Sequence, residues 1–169
     1  MKNEMHTRQN HRLENYDYSS VGAYFVTICT SDRKQLFWSD HVGASIARPS
    51  DVVLSGYGEI VLAAINRISH IYPAVTVEGY VIMPDHIHLM IRIHCDQSGR
   101  PMVAPTLGNI VRQLKGCVTK QIGHPIWQKL FYDHVIRNDG DYEKTLKYMY
   151  DNPMRWVSKQ NKDGRLSLE

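Results

Sequence analysis

Residues 86–93, His-Ile-His-Leu-Met-Ile-Arg-Ile, alternate strictly between a β-branched or leucine side chain and something else. Along a β-strand the side chains repeat every two residues. Ile87, Leu89, Ile91 and Ile93 must therefore share one face, and His86, His88, Met90 and Arg92 the other. A helix would scatter both sets around its circumference, so this stretch is read as a strand. It buries an aliphatic row and turns two imidazoles to the opposite side. The rest of the chain has to supply a sheet for it to join.

Three further segments have strand character. Ala23–Thr30 is rich in β-branched and aromatic residues, and Val75–Met83 and Phe131–Arg137 read the same way. Between them, apolar residues recur at helical spacing. Ile60, Val61, Ala64, Ile65, Ile68 and Ile71 predict a helix over Gly58–Tyr72, ended by Pro73. Leu107, Ile110, Val111, Leu114, Val118 and Ile122 predict a second over Thr106–Ile122, with Thr106 as N-cap and Gly123 past its end. Asp139-Gly140-Asp141 opens a third, expected to run to about Asn152 and stop at Pro153. The order β-α-β-β-α-β, followed by a helix, is that of an α+β, ferredoxin-like split fold: one antiparallel sheet with helices on one face and an additional C-terminal helix. The 169 residues suit one such domain. Residues 1–20 read as a polar, partly disordered arm, 21–157 as the domain and 158–169 as a C-terminal tail. Ser39–Ser55 reads as an irregular connection and Asp96–Pro105 as a loop.

Composition narrows the class. With 43% hydrophobic and 22% charged residues the chain is not intrinsically disordered. No apolar run approaches the roughly 20 residues that span a bilayer, and residues 1–15 lack the apolar core of a secretory signal. Cys29, Cys95 and Cys117 are scattered, without a Cys-x-x-Cys pair. A cytoplasmic location with no membrane partner is expected. The formal net charge is only +3, but it is unevenly spread. No acidic residue lies between Asp96 and Asp133, where Arg100, Arg112, Lys115, Lys120 and Lys129 fall. Such an excess suits a phosphate backbone, or simply a solvated basic face.

Candidate chemistry starts from the histidine pair. Nine histidines in 169 positions give roughly half a His-x-His pair by chance. Placed at i and i+2 on an alternating strand, however, two neutral imidazoles can converge on one divalent cation. Otherwise they are two polar residues on an exposed sheet. On the third predicted helix, Tyr142, Thr145, Leu146 and Met149 form the core stripe, while Lys144, Tyr148 and Asn152 stand in line one turn apart. That line holds a cation, a phenol able to act as nucleophile toward phosphorus, and a neutral amide oxygen that could complete a metal site. An edge tyrosine can equally be packing. Tyr150, on the other flank, is the rival nucleophile, and Tyr142 reads as structural. His134 is expected to be a hydrogen-bonded structural residue and Trp127 part of the core.

The blocks Val81-Ile82-Met83-Pro84-Asp85-His86-Ile87-His88-Leu89, Leu107-Gly108-Asn109-Ile110-Val111 to Lys115, Trp127-Gln128 with Phe131-Tyr132-Asp133-His134-Val135-Ile136-Arg137, and Tyr148-Met149-Tyr150-Asp151-Asn152-Pro153 resemble, in that order, the single-tyrosine HUH transposases. Within that group the chain looks closest to the REP-associated tyrosine transposases, over about Tyr24 to Trp156. The resemblance implies a ferredoxin-like enzyme that cleaves and rejoins single-stranded DNA at hairpin or palindromic repeat ends. His86 and His88 would be metal ligands, and Asn152 the third, at a position where some relatives carry Gln. Tyr148 would be the nucleophile of a 5′-phosphotyrosine intermediate, with Mg²⁺ or Mn²⁺ as cofactor. Arg112, Lys115, Lys120 and Lys144 would contact the DNA. Insertion-sequence members form homodimers that swap the tyrosine helix, whereas REP-associated relatives can be monomeric. A non-catalytic ferredoxin-like module binding single-stranded RNA or DNA hairpins is the alternative, although such a module wants aromatics where this strand shows histidines.

Overall fold

The strand His86–Ile93, here β3, lies inside the sheet with a neighbour on each side. The computed structural model describes residues 17–39, 52–95 and 105–162. Around β3 the order is β1 (Gly22–Cys29), α1 (Gly56–Asn66), α2 (Ile68–Ile71), β2 (Val75–Ile82), then β3, α3 (Leu107–Ile122), β4 (Tyr132–Ile136) and α4 (Asp139–Lys162). The four strands are arranged β2-β3-β1-β4, and every pairing is antiparallel. This is the expected ferredoxin-like α+β arrangement. Residues 1–16, 40–51, 96–104 and 163–169 lie outside the described residues, with most of the predicted N-terminal arm, much of the Ser39–Ser55 connection, the Asp96–Pro105 loop and Arg100.

Register assigns the faces. Tyr24, Val26 and Ile28 of β1 stand opposite Ile91, Leu89 and Ile87 of β3, so all six share one side. All are fully buried, in one cluster with Val61, Ala64 and Ile65 of α1 and Leu107, Ile110, Leu114 and Val118 of α3. Each such side chain contributes about 1.5–3 kcal/mol on leaving water. The helix ends follow from sequence. Thr106 accepts from the Asn109 amide to cap α3, and Gly123 ends that helix at φ 88, where a side chain would be strained. Ser55 caps α1 through the Gly58 amide, so α1 begins two residues before the expected Gly58. Gly58 itself must be glycine, because a Cβ there would stand 2.3 Å from the Phe37 carbonyl oxygen. The single predicted helix to Tyr72 is broken at Arg67, and the short α2 turns Ile68 into the core.

Pro153 was expected to stop the last helix, yet α4 passes through it and on to Lys162, beyond the 157/158 boundary expected for the tail. Proline removes one hydrogen bond and crowds the preceding turn, costing about 3 kcal/mol in a helix interior. Packing beyond the proline offsets this: Val157 is buried, and Trp156 meets the ring of Trp38 at 5.1 Å. Trp38 is fixed in turn by its indole N–H on the Ile82 carbonyl.

The helices also do not all share one face. On the side opposite the aliphatic cluster, Phe25, Thr27 and Cys29 of β1 stand beside Met90, His88 and His86, and α4 lies over the β2–β3 half of that side. Met149 is fully buried there, above Gly79 of β2. A Cβ on Gly79 would come within 2.9 Å of Met149 Cε and 2.8 Å of Tyr150 Oη, so the missing side chain is what lets the helix settle. Among the described residues no helix is long and apolar enough to cross a membrane.

Candidate active site

The imidazoles of His86 and His88 converge edge to face, with their Nε2 atoms 3.1 Å apart. Two contacts behind them decide which nitrogens face the gap. His86 Nδ1 is 2.6 Å from the Asp85 carboxylate, which can only accept, so that nitrogen carries the proton and Nε2 presents its lone pair. Asn152 donates its side-chain N–H to His88 Nε2 at 3.2 Å, which makes that nitrogen an acceptor and lets His88 Nδ1–H donate to Thr27 Oγ1 at 2.9 Å. The two Nε2 atoms thus share one gap, which a proton or a cation can bridge.

The donor set fits such an ion. Ligands at right angles around an octahedral centre with bonds of about 2.0–2.1 Å lie about 2.9 Å apart, close to the observed separation. A half-turn of the Asn152 amide would exchange its nitrogen for the oxygen. Among the described residues no group of three or more His, Cys, Asp or Glu side chains forms a metal site. The histidine pair is completed by an amide and leaves coordination positions open.

His88 is almost wholly buried, where exposed imidazoles were expected. Phe25 stacks on its ring at 5.0 Å and α4 covers it. Burial, then the neighbouring His86 and Arg33, push its pKa down to about 3, so it is neutral and able to bind metal at pH 7. Burial would raise the Asp85 carboxyl. The hydrogen bond from His86 Nδ1–H and the Arg33 guanidinium, 2.9 Å away, outweigh it and hold the carboxyl below its usual value. The hairpin that carries Asp85 is clamped from outside. Thr30 donates through both its amide and its hydroxyl to the Asp85 carbonyl, and the Leu36 and Phe37 amides donate to that of Pro84. The turn between these residues holds Asp32 and Arg33 at φ 55 and 56, the left-handed region that non-glycine residues rarely adopt, which brings the Arg33 side chain back to Asp85.

Tyr148 stands at the open side of the pair, 46% exposed, with its ring 5.8 Å from that of His88 and 6.1 Å from that of Phe25. α4 rests on the chain's own sheet, so nucleophile candidate and histidines meet within one chain. Tyr150 points to the other flank, over Gly79. Tyr142 is half-buried over Arg92, which pairs with Glu78, and anchors the first turns of α4. His134 holds both carboxylate oxygens of Asp141, at 2.9 and 3.0 Å, and Trp127 is buried in the core.

The structure thus brings His86, His88, Asn152 and Tyr148 together, with Lys144 one turn from Tyr148, but it does not bring the other three predicted DNA contacts to them. Arg112, Lys115 and Lys120 belong to α3, on the aliphatic side of the sheet. Lys115 is moreover committed: its Nζ donates to the Gln128 and Lys129 carbonyls, and burial pushes its pKa down. It ties the segment before β4 to α3. Lys144 is exposed one turn before Tyr148. Sequence reasoning missed Thr27, Asp85 and Arg33. Of these, Asp85 carried a visible signal, a carboxylate directly beside the histidine pair.

No family model matches the chain. It is 29% identical over 175 residues to an uncharacterized protein of Haemophilus influenzae, covering 92% of this chain and 93% of that one. A candidate REP-associated tyrosine transposase from the same organism is 29% identical over 153 residues, covering 85% and 77%. The REP-associated tyrosine transposase of Escherichia coli is 30% identical over 84 residues, covering 48% and 47%. Among solved structures, a REP-associated tyrosine transposase bound to a REP hairpin superposes with a TM-score of 0.59 at 21% identity, over 85% of this chain and 73% of that one. That likeness is one of fold.

Proposed function

We propose that the chain is a REP-associated tyrosine transposase, as its likeness to relatives of that name supports: a metal-dependent, single-strand DNA endonuclease and strand transferase that cleaves and rejoins hairpin ends through Tyr148. The observation that carries the reading is the convergence of two imidazole nitrogens and an amide beside an exposed phenol.

His86, His88 and Asn152 would hold Mg²⁺ or Mn²⁺, which when bound supplies charge stabilisation to a phosphate oxygen. Asp85 and Thr27 keep both Nδ1 atoms engaged, so that Nε2 stays unprotonated on each ring. Tyr148 attacks phosphorus through Oη. The phenol gives up its proton to solvent, the new Oη–P bond replaces the P–O3′ bond, the leaving 3′ oxygen takes up a proton, and the 5′ end remains on the tyrosine. Attack by a 3′-hydroxyl on that link releases Tyr148 and rejoins DNA. Because one ester replaces another, no outside energy source is needed. The protein contributes positioning of phenol and phosphate on rigid elements rather than on loops. Single-stranded DNA folded as a hairpin is the natural partner, since the structural neighbour is bound to a REP hairpin.

The test is an SDS-stable adduct with single-stranded hairpin DNA in Mg²⁺ or Mn²⁺. Tyr148→Phe should abolish it and Tyr150→Phe should keep it. His86→Ala or His88→Ala should abolish cleavage while hairpin binding survives. Adduct formation by Tyr148→Phe would refute the assignment.

A further inference from the structure

α4 covers only half of the histidine face. Over β2 and β3 the helix buries Met90 and His88, but on β1 Phe25 and Thr27 stay partly exposed between buried Ala23 and Cys29, and on β4, an edge strand, Tyr132 and His134 are exposed. On this open half the register is informative. Tyr132 of β4 pairs with Thr27 of β1, and Thr27 pairs with His88 of β3, so the three side chains stand in one row across adjacent strands. Two strand spacings place Tyr132 about 10 Å from His88. Tyr132 is 47% exposed, and Phe25 and Thr27, both partly exposed, lie between it and Tyr148. Phe25 and Thr27 therefore form the sheet surface beside the histidine pair, and the exposed rings of Tyr148 and Tyr132 flank it like the walls of a trough.

The surroundings favour a polyanion over a protein surface. Lys129 and Arg137 are exposed at the two ends of β4. Asp133 pairs with Val26 and so turns to the other face, while Asp141 is held by His134 and the Arg137 amide. Aromatic rings on a strand flanked by cations are what an unpaired base and its phosphates require, since every base offers a face to stack.

We propose that Tyr132 is the base-stacking wall of a single-stranded DNA subsite: an unpaired base adjoining the scissile phosphate lies against its ring in the trough between β4 and α4. This rests on reading the histidine pair and Tyr148 as a DNA-cleaving centre, and it adds a binding residue that does no chemistry.

The test uses the full chain in EDTA, so that binding is read without cleavage. Hairpin oligonucleotides with a single-stranded flank carry 2-aminopurine or an abasic site, moved one position at a time around the phosphate to be cut. Wild type and Tyr132→Phe should quench 2-aminopurine at one position, and Tyr132→Ala should not. Removing that base should weaken wild-type binding about 5–150-fold, the range for one stacked base, and should cost Tyr132→Ala almost nothing further. The abasic series on wild type, together with Tyr132→Leu, keeps the test valid should the alanine variant fold poorly. Unchanged affinity in Tyr132→Ala, losses that multiply rather than overlap, or a change only in oligomeric state would overturn the subsite. Position-specific, Tyr132-dependent quenching without any SDS-stable adduct in Mn²⁺ would instead sustain the subsite and sink the cleavage reading.

Discussion

Acid should unfold the metal-free protein largely through one buried imidazole. A histidine in an unfolded chain titrates near 6.5, whereas burial, aided by His86 and Arg33, holds His88 at about 3. Between those values the unfolded chain binds a proton that the native one refuses, so stability falls as pH falls. The whole contribution, about 5 kcal/mol, is present above pH 6.5 and gone below pH 3. At pH 5 the unfolded imidazole is almost fully protonated and the native one almost fully neutral, and the loss is then about 2 kcal/mol. Against a typical domain stability of about 5–15 kcal/mol that is easily measured. Urea unfolding, followed by tryptophan fluorescence in EDTA at pH 8, 6 and 5, gives the slope. His88→Gln should flatten it by about 2 kcal/mol over this range, whatever its stability at pH 8, because the other histidines are common to both proteins. If the variant loses as much stability between pH 8 and pH 5 as wild type, the account of a buried, neutral, metal-ready His88 is wrong.

Four other outcomes are expected. Asp85→Asn and Thr27→Val release the hydrogen bonds that fix the ring tautomers, and each should weaken Mn²⁺ binding about 10–100-fold by calorimetry. Met149→Ala empties a fully buried site beneath α4 and should cost about 2–5 kcal/mol in denaturant unfolding. Trp156→Ala removes the anchor beyond Pro153, so amide exchange over residues 154–162 should quicken at least about tenfold while α3 is unaffected. Lys115→Gln should lower stability but leave the salt dependence of DNA affinity unchanged, since its Nζ already serves two carbonyls. Loss of a true phosphate contact would reduce that slope by about one.

How much of this was legible depended on how far each signal travels. β3 and α3 match their predicted spans closely because a period of two and a period of 3.6 are local properties, and Thr106 and Gly123 mark the helix ends within a residue. The fate of Pro153 was not local: the Trp38–Trp156 contact that carries α4 onward joins residues more than a hundred positions apart. The burial of His88 was hidden for the same reason. Alternation showed which face it occupies, but what covers that face is a helix about sixty residues later. Thr27 is a polar residue inside the strand run, visible as an exception, yet only the β1–β3 register pairs it with His88. Arg33 reaches Asp85 through a turn of unfavourable φ that no propensity would have proposed. The side of the sheet that Arg112, Lys115 and Lys120 occupy, away from the histidines, was not legible because an acid-free stretch says nothing about which side its cations take.

The division of the sheet explains why the chemistry can be held so closely. Its aliphatic side, closed by α1 and α3, carries the stability and asks nothing of the histidines. The other side needs a cover that also delivers groups to the histidine pair, and α4 does both because Met149, Tyr148 and Asn152 project in different directions from one rigid element. Met149 fixes the height of the helix above Gly79, and that height sets how far Tyr148 and Asn152 stand from His88. Pro153 follows directly after Asn152 and denies the Met149 carbonyl its helical partner, so the hydrogen-bond ladder is interrupted at the very turn that carries Asn152. What holds Asn152 against His88 is then packing on both sides of the break, Met149 before it and Trp156 after it. The candidate site is placed at the joint of a helix whose two halves are anchored separately, and substitutions at Trp38 or Trp156, neither of which touches a phosphate, should alter metal affinity through Asn152.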